Sequence, residues 1–227
     1  IMRRMLQSSG AEVIHLAHNR SVQEIVRAAI QEDVDAIAIS SYQGGHIEYF
    51  KYLVDQLKSQ GAEHIQVFGG GGGVIIPAEI DELHNHGVAR LYSPADGQSL
   101  GLQGMIDDML QRTRDAKCAS KPQIDALTSG DRIQLTRSIS SIENNAYSDS
   151  ELNDLRLLAA KVGTPILGIT GTGGAGKSSS TDEIVRRFRQ DSLDSLNIAI
   201  LAIDPTRKKT GGALLGDRIR MNAINHD

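Results

Sequence analysis

The run Gly171-Thr-Gly-Gly-Ala-Gly-Lys177-Ser178 constrains this chain more than any other stretch. It fits G-x-x-x-x-G-K-[ST], the spacing with which a backbone wraps a phosphate group. The residue types follow from that task. Glycines let successive N–H groups close on an anion, a lysine reaches the outer phosphates as a point charge, and a serine hydroxyl holds Mg²⁺. Gly173, Gly174, Ala175, Gly176, Lys177, Ser178 and Ser179 are therefore the expected nucleotide contacts. Lys177 is the expected catalytic residue and Ser178 a metal ligand. The flanks agree. Pro165-Ile-Leu-Gly-Ile-Thr170 predicts a short buried parallel strand, and Ile184, Val185 and Phe188 predict a helix from Ser178 to Gln190. Strand, glycine-rich loop and helix is the order this motif needs.

The first half of the chain alternates between the two kinds of periodicity. Ile1–Ser9 is helical in pattern and Glu12–Ala17 reads as a strand. Ser21 opens a helix with Glu24 three residues on, a capping box. Asp35–Ser40 is a nearly continuous apolar strand. Phe50, Leu53, Val54 and Leu57 form one stripe of a helix over 47–59. His64–Phe68 reads as a strand that runs into five glycines, 69–73. Pro77 fits the first turn of a helix that ends near His86, with Gly87 beyond it. Ala89–Ser93 is a strand and 98–111 a closing helix. Strands separated by helices of this length predict βαβ units: an α/β fold with a parallel sheet. The chain starts on a helix, so the expectation is that a first strand precedes Ile1. From 113 to 148 polar residues accumulate. A second capping box, Ser148 with Glu151, opens a helix that runs to Lys161. The expected organisation is a parallel-sheet domain over 1–112, a linker with helical segments over 113–161, and a phosphate-loop domain that begins at 162 and continues through 227.

Composition excludes some classes. The formal net charge is −4 and Trp is absent, which argues against a surface that coats nucleic acid. One cysteine, Cys118, rules out an internal disulfide and suits a reducing cytoplasm. No apolar run approaches the ~20 residues of a membrane span.

A second glycine-rich region invites a different ligand. Ligands of doubly wound sheets bind outside the carboxyl ends of the strands. Three loops fall at such ends: Ser40-Ser41-Tyr42-Gln43-Gly44-Gly45-His46, Gly69–Gly73, and Ser93-Pro94-Ala95-Asp96-Gly97. Glycine removes the side chain where a large ligand presses against backbone. Two adjacent glycine-lined loops point to a bulky ligand with many hydrogen-bonding groups. A G-x-G-x-x-G spacing can be found among these glycines, but it follows a late strand, where a dinucleotide fingerprint expects the first. His15, His18, His64, His84 and His86 have no accompanying cysteine cluster, and His84 and His86 point to different sides of a helix. They read as solvated or helix-end histidines.

At these loops the sequence resembles the cobalamin-binding domain of the acyl-CoA mutases, a flavodoxin-like (Rossmann-type) fold. Ser40-Ser41-Tyr42-Gln43-Gly44-Gly45-His46 looks like that family's serine loop, and Phe68 to Pro77 looks like its glycine-rich turn. Tyr42-Gln43 stands where the methylmalonyl-CoA mutases have Leu, which resembles the fused isobutyryl-CoA mutases instead. The second half agrees. Ala202-Ile203-Asp204-Pro205, the run Thr210 to Arg218, and Arg220-Met221 look like the metallochaperone GTPases that load and protect such mutases.

The resemblance implies an adenosylcobalamin-dependent radical isomerase that interconverts isobutyryl-CoA and n-butyryl-CoA, with a fused GTP-hydrolysing chaperone domain. The implied cofactor contacts are Ser40, Ser41, Tyr42, Gln43, Gly44, Gly69, Gly70, Gly71, Tyr92 and Pro94. GTP and Mg²⁺ are the implied ligands of the second half. Ser178, Asp204, Asp217 and the Ile203 carbonyl are the candidate metal ligands, direct or through water. Arg220 reads either as a nucleotide contact or as a surface arginine. Guanine and adenine are not distinguished by the residues present. The implied partner is an acyl-CoA held by a domain outside this chain, in a cytoplasmic homodimer with no nucleic-acid or membrane partner. The family's Asp-x-His-x-x-Gly, which carries the lower ligand to cobalt, does not occur here and is expected before Ile1. The base-reading motif is expected after Asp227. The main alternative is a stand-alone GTPase chaperone with a cobalamin-binding or regulatory domain and no mutase activity. A receiver-like signalling module needs acidic strand ends, and the strand ends here carry Ser and Gly.

Overall fold

The computed structural model describes residues 1–42, 44–116, 121–203, 214–215 and 223. Two compact units emerge, one of Ser21–Thr164 and one of Ile1–Arg20 with Pro165–Asp227.

The larger unit is built on three parallel strands. α2 (Val22–Gln31) starts at Ser21, whose side chain accepts from the Glu24 N–H while Glu24 accepts from the Ser21 N–H. β2 (Ala36–Ser40) follows, then α3 (His46–Ser59), β3 (Gln66–Gly70), α4 (Pro77–His86), β4 (Arg90–Tyr92) and α5 (Pro94–Ala116). The sheet order is β2-β3-β4, all parallel. Each crossover is a helix, as parallel pairing requires. Val26, Phe50, Leu53, Leu57, Val67, Leu83 and Leu91 fill the space between sheet and helices. The register places Ser40 beside Gly70, and Gly70 beside Tyr92. Three loops therefore leave the sheet at one level.

Two details differ from the sequence pattern. β3 lies two residues later than expected and takes in Gly69 and Gly70. A Cβ on Gly69 would lie 2.6 Å from Leu91 Cδ2 and 2.8 Å from Phe50 Cε1, so the strand needs glycine where a larger residue would collide with the core. The closing helix begins four residues earlier, at Pro94, and is broken at Gly101, where φ is 65°.

The segment expected as a linker with helical segments contains three helical stretches. A 3₁₀ stretch Ile124–Ser129 leads to α6 (Arg132–Glu143) and α7 (Asp149–Val162). α6 packs on α2, with Ile133 against the core. Tyr147 is buried, and its hydroxyl donates to the Pro122 carbonyl at 3.0 Å. Lys121 Nζ donates to Glu151 at 2.7 Å and lies 5.2 Å from the Tyr147 ring centre. The Lys121 ammonium, followed by the Ser148 N–H and hydroxyl, holds the Glu151 carboxyl at about 2. A depressed carboxyl stabilises the fold above its unfolded value of ~4.3, and the contribution is lost as pH falls toward about 2. An NMR titration of Glu151 is expected to give a midpoint near 2; an ordinary carboxylate midpoint would contradict the Lys121–Glu151 latch.

In the smaller unit, α1 (Met2–Ser8) precedes β1 (Val13–Ile14), and β1 pairs in parallel with β5 (Leu214–Leu215). Among the described residues β1 and β5 form a two-stranded sheet of their own. α8 (Lys177–Asp191) carries Val185 inward. Residues 165–170, expected as a strand, are not in a ladder, and neither is the apolar run 197–203. Ile166 is 94% exposed and Ile203 87%. A parallel strand has no hydrogen bonds of its own and exists only through its neighbours. Among the described residues none pairs with these two segments.

Candidate functional site

The phosphate loop is built from local rules. Gly174 and Gly176 have φ of 78° and 81°, a region that L side chains rarely adopt. These two positions turn the chain so that α8 begins at Lys177 with Gly176 as its cap. No side chain caps this helix, and no acidic residue lies in its first turn. Its first N–H groups and the positive end of its dipole face outward, the arrangement that receives anions. Lys177 Nζ donates to the carbonyls of Gly171 and Thr172, 2.9 Å each. The lysine is thus folded over its own loop. Ser178 is half-buried and Ser179 exposed, both in the first turn of α8.

The second candidate site lies at the carboxyl ends of β2, β3 and β4. The Ser41 N–H donates to the Gly70 carbonyl at 2.9 Å, so the serine loop continues the ladder one step beyond the strand. A Cβ on Gly71 would fall well inside contact distance of the Ser41 carbonyl and 3.1 Å from Ile75. Gly71 therefore lets the two loops touch. Gly70 has room, since a Cβ there would stand 3.4 Å from the Tyr92 carbonyl. A Cβ on Gly44 or Gly73 would meet no atom within 4 Å. The Tyr42 ring is 71% exposed and stands beside Gly72. The glycines of these two loops thus divide into two kinds. Gly69 and Gly71 are required by neighbouring protein atoms, whereas Gly44 and Gly73 border open space.

The third loop is anchored by charge. Tyr92 is buried, and its hydroxyl donates to Asp108 at 2.9 Å. Burial, followed by Asp108, pushes the phenol above its usual range. Arg90 donates to Asp96 at 2.7 Å, and the Ser93 N–H and hydroxyl donate to the same carboxylate. Burial raises the Asp96 carboxyl, but Ser93 and Arg90 outweigh it and hold it below the usual range. Pro94 is exposed at the start of α5.

Ser40, Ser41, Tyr42, Gly44, Gly69, Gly70, Gly71, Tyr92 and Pro94 are thus gathered at one end of one sheet. Gln43, Asp204, Asp217 and Arg220 lie outside the described residues. The Ile203 backbone is described, at an exposed position. Among the described residues no cluster of three metal-binding side chains exists, and no helix is long and apolar enough to cross a membrane. His84 accepts from the Leu91 N–H at 3.0 Å and His86 bonds Asp55 at 2.8 Å, so both close the end of α4. Gly73 was not among the expected cofactor contacts. Its signal was its place in the glycine run, which could not separate it from Gly69.

Comparison with known proteins gives two matches in sequence order. The family described as B12 binding domain matches residues 1–97. The family described as Methylmalonyl Co-A mutase-associated GTPase MeaB matches residues 135–227. Curated proteins called fused isobutyryl-CoA mutase align along the chain. That of Cupriavidus metallidurans is 62% identical over 227 residues, 100% of this chain and 21% of the relative. That of Geobacillus kaustophilus is 57% identical over 235 residues, 99% of this chain and 21% of the relative. That of Nocardia farcinica is 55% identical over 225 residues, with the same two shares, 99% and 21%. The chain spans about a fifth of the length of these curated relatives. The chain thus carries a flavodoxin-like B12-binding domain followed by P-loop GTPase sequence of the MeaB type, and along its length it is similar to the fused isobutyryl-CoA mutases.

Proposed function

We propose that this chain supplies the cobalamin cradle and the phosphate-binding part of a fused, adenosylcobalamin-dependent isobutyryl-CoA mutase. The observation that carries the reading is the meeting of the serine loop and the glycine loop at the carboxyl ends of β2 and β3, with open space at Gly44 and Gly73. A flat macrocycle with an extended tail needs backbone approach and hydrogen-bonding groups in that place. Ser40, Ser41 and Tyr42 offer hydroxyls there, Gln43 an amide, and Gly70 and Gly71 a backbone floor. Tyr92 and Pro94 form the wall beyond. Radical chemistry is supplied by adenosylcobalamin when it is bound. The chain's own residues bind the cofactor, orient it and keep water from it.

In the second half, the N–H groups of 173–179 receive the phosphates of GTP. Lys177 exchanges the carbonyls of Gly171 and Thr172 for phosphate oxygens, and the Ser178 hydroxyl holds Mg²⁺. Asp204, Asp217 and the Ile203 carbonyl complete the metal's surroundings, and Arg220 touches the nucleotide. The domains run 1–112, 113–161 and from 162 onward. The alternation that ends with α5 and the phosphate loop that follows Gly163 support this division. An acyl-CoA, isobutyryl or n-butyryl, is bound by a domain outside this chain. The complete protein is a cytoplasmic homodimer without nucleic-acid or membrane partners; a net charge of −4 suits that reading.

The test is an assay of the full-length protein with isobutyryl-CoA and adenosylcobalamin. Formation of n-butyryl-CoA that depends on the cofactor, together with GTP hydrolysis, is expected. GTP hydrolysis without any acyl rearrangement would overturn the mutase reading and favour a stand-alone chaperone.

A further inference from the structure

Four contacts lace α3 to α4. Lys51 pairs with Glu82, His86 with Asp55 at 2.8 Å, and Lys58 Nζ donates to the His86 carbonyl at 3.2 Å. These three are exposed, and pairs of that kind contribute little. The fourth differs. His46 is 7% exposed, and its Nε2 lies 3.0 Å from Glu79 Oε2. His46 is the first residue of α3, directly after the serine loop. Glu79 lies in the first turn of α4, directly after the glycine loop. The same Glu79 oxygen accepts from the Ile76 N–H at 3.0 Å. The carboxylate that caps the helix after one loop is therefore gripped by the residue that ends the other. The two residues are 33 positions apart in sequence.

We infer that His46 and Glu79 are positioning residues for the cofactor: their contact fixes the separation of the serine and glycine loops and thereby the affinity for adenosylcobalamin. This rests on the placement of the cofactor between those loops. The Ser41–Gly70 hydrogen bond joins the loops at their roots, on the sheet. The His46–Glu79 contact joins them at their far ends, so the loops are closed at both ends. Neither residue reaches the cofactor. Each acts through the loop that it terminates. The Ile76 N–H, followed by His46, holds the Glu79 carboxyl below its usual range, so it stays ionised as an acceptor for both donors.

Adenosylcobalamin binding to the full-length protein, followed by absorbance titration, is the test. His46→Ala and Glu79→Ala are each expected to weaken binding about tenfold, the scale of coupling between residues that share one network. The double variant is expected to bind no worse than either single one. His46→Gln keeps an N–H donor and is expected to recover most of the affinity, which also covers the case in which His46→Ala fails to fold. Lys51→Ala removes a pair between the same helices away from the loops and is expected to bind as wild type does. GTP affinity is expected to stay unchanged throughout. Unchanged affinity in both alanine variants, with Gly73→Val weakened, would overturn the inference while leaving the cofactor site in place. An equal loss in Lys51→Ala would overturn it in favour of general helix packing. Unchanged affinity in Gly73→Val as well would overturn the placement of the cofactor and this inference with it.

Discussion

Lys177→Ala in the full-length protein is expected to weaken GTP and GDP binding by about 10–100-fold. The range follows from the ~1.5–3 kcal/mol of a hydrogen bond to a charged group and the affinity scale that converts it. Lys177 carries the only side-chain cation in the run 171–178. In the structure it is already held over the loop by the Gly171 and Thr172 carbonyls, so little ordering remains when phosphate arrives. The backbone N–H groups and the end of α8 survive the substitution, which sets the upper bound on the loss. Calorimetry checks the result. Equal nucleotide affinities in wild type and Lys177→Ala would show that this loop is a turn and not a phosphate site.

The glycines of the other site are expected to separate into two classes when replaced by valine. Gly69→Val drives branched carbons into Phe50 and Leu91, and Gly71→Val drives them into the Ser41 carbonyl and Ile75. Overpacking of this kind costs ~1–3 kcal/mol, and more where a backbone carbonyl must move. Both variants are expected to lower the melting temperature of the domain before any ligand is added. Gly44→Val and Gly73→Val add carbons to open space and are expected to fold normally. Thermal melts of the four cofactor-free variants decide the matter. A normal melt for Gly71→Val, or a collapsed one for Gly73→Val, would contradict the packing described here.

What could be read in the sequence was what local interactions decide. Ser21 with Glu24 and Ser148 with Glu151 each bond across one helical turn, so their capping boxes announce α2 and α7 without help from the rest of the fold. The phosphate loop is legible for the same reason: its glycines answer to their own dihedral angles. Strands are decided elsewhere. β3 ends at Gly70 because Gly70 faces Ser40, and the glycine before it is explained by Phe50 and Leu91, neither of which is near in sequence. The runs 165–170 and 197–203 have strand composition, but composition supplies no partner. The fold class and the three loops were legible from the alternation of periods. The separate duties of the five glycines were not, because each depends on what tertiary packing places beside it. The His46–Glu79 contact is hidden in the same way: each residue has an ordinary helix-start identity until the fold brings them together.

The central claim is that the open space beside Gly73 belongs to a cobalamin. An absorbance titration of the full-length protein with adenosylcobalamin tests it most directly. Wild type is expected to bind saturably, and Lys177→Ala to bind equally well, since the phosphate loop serves another ligand. Gly73→Val is expected to lose about tenfold or more in affinity at an unchanged melting temperature, because its added carbons overlap a ligand and not the protein. Full affinity in a normally folded Gly73→Val would contradict the claim.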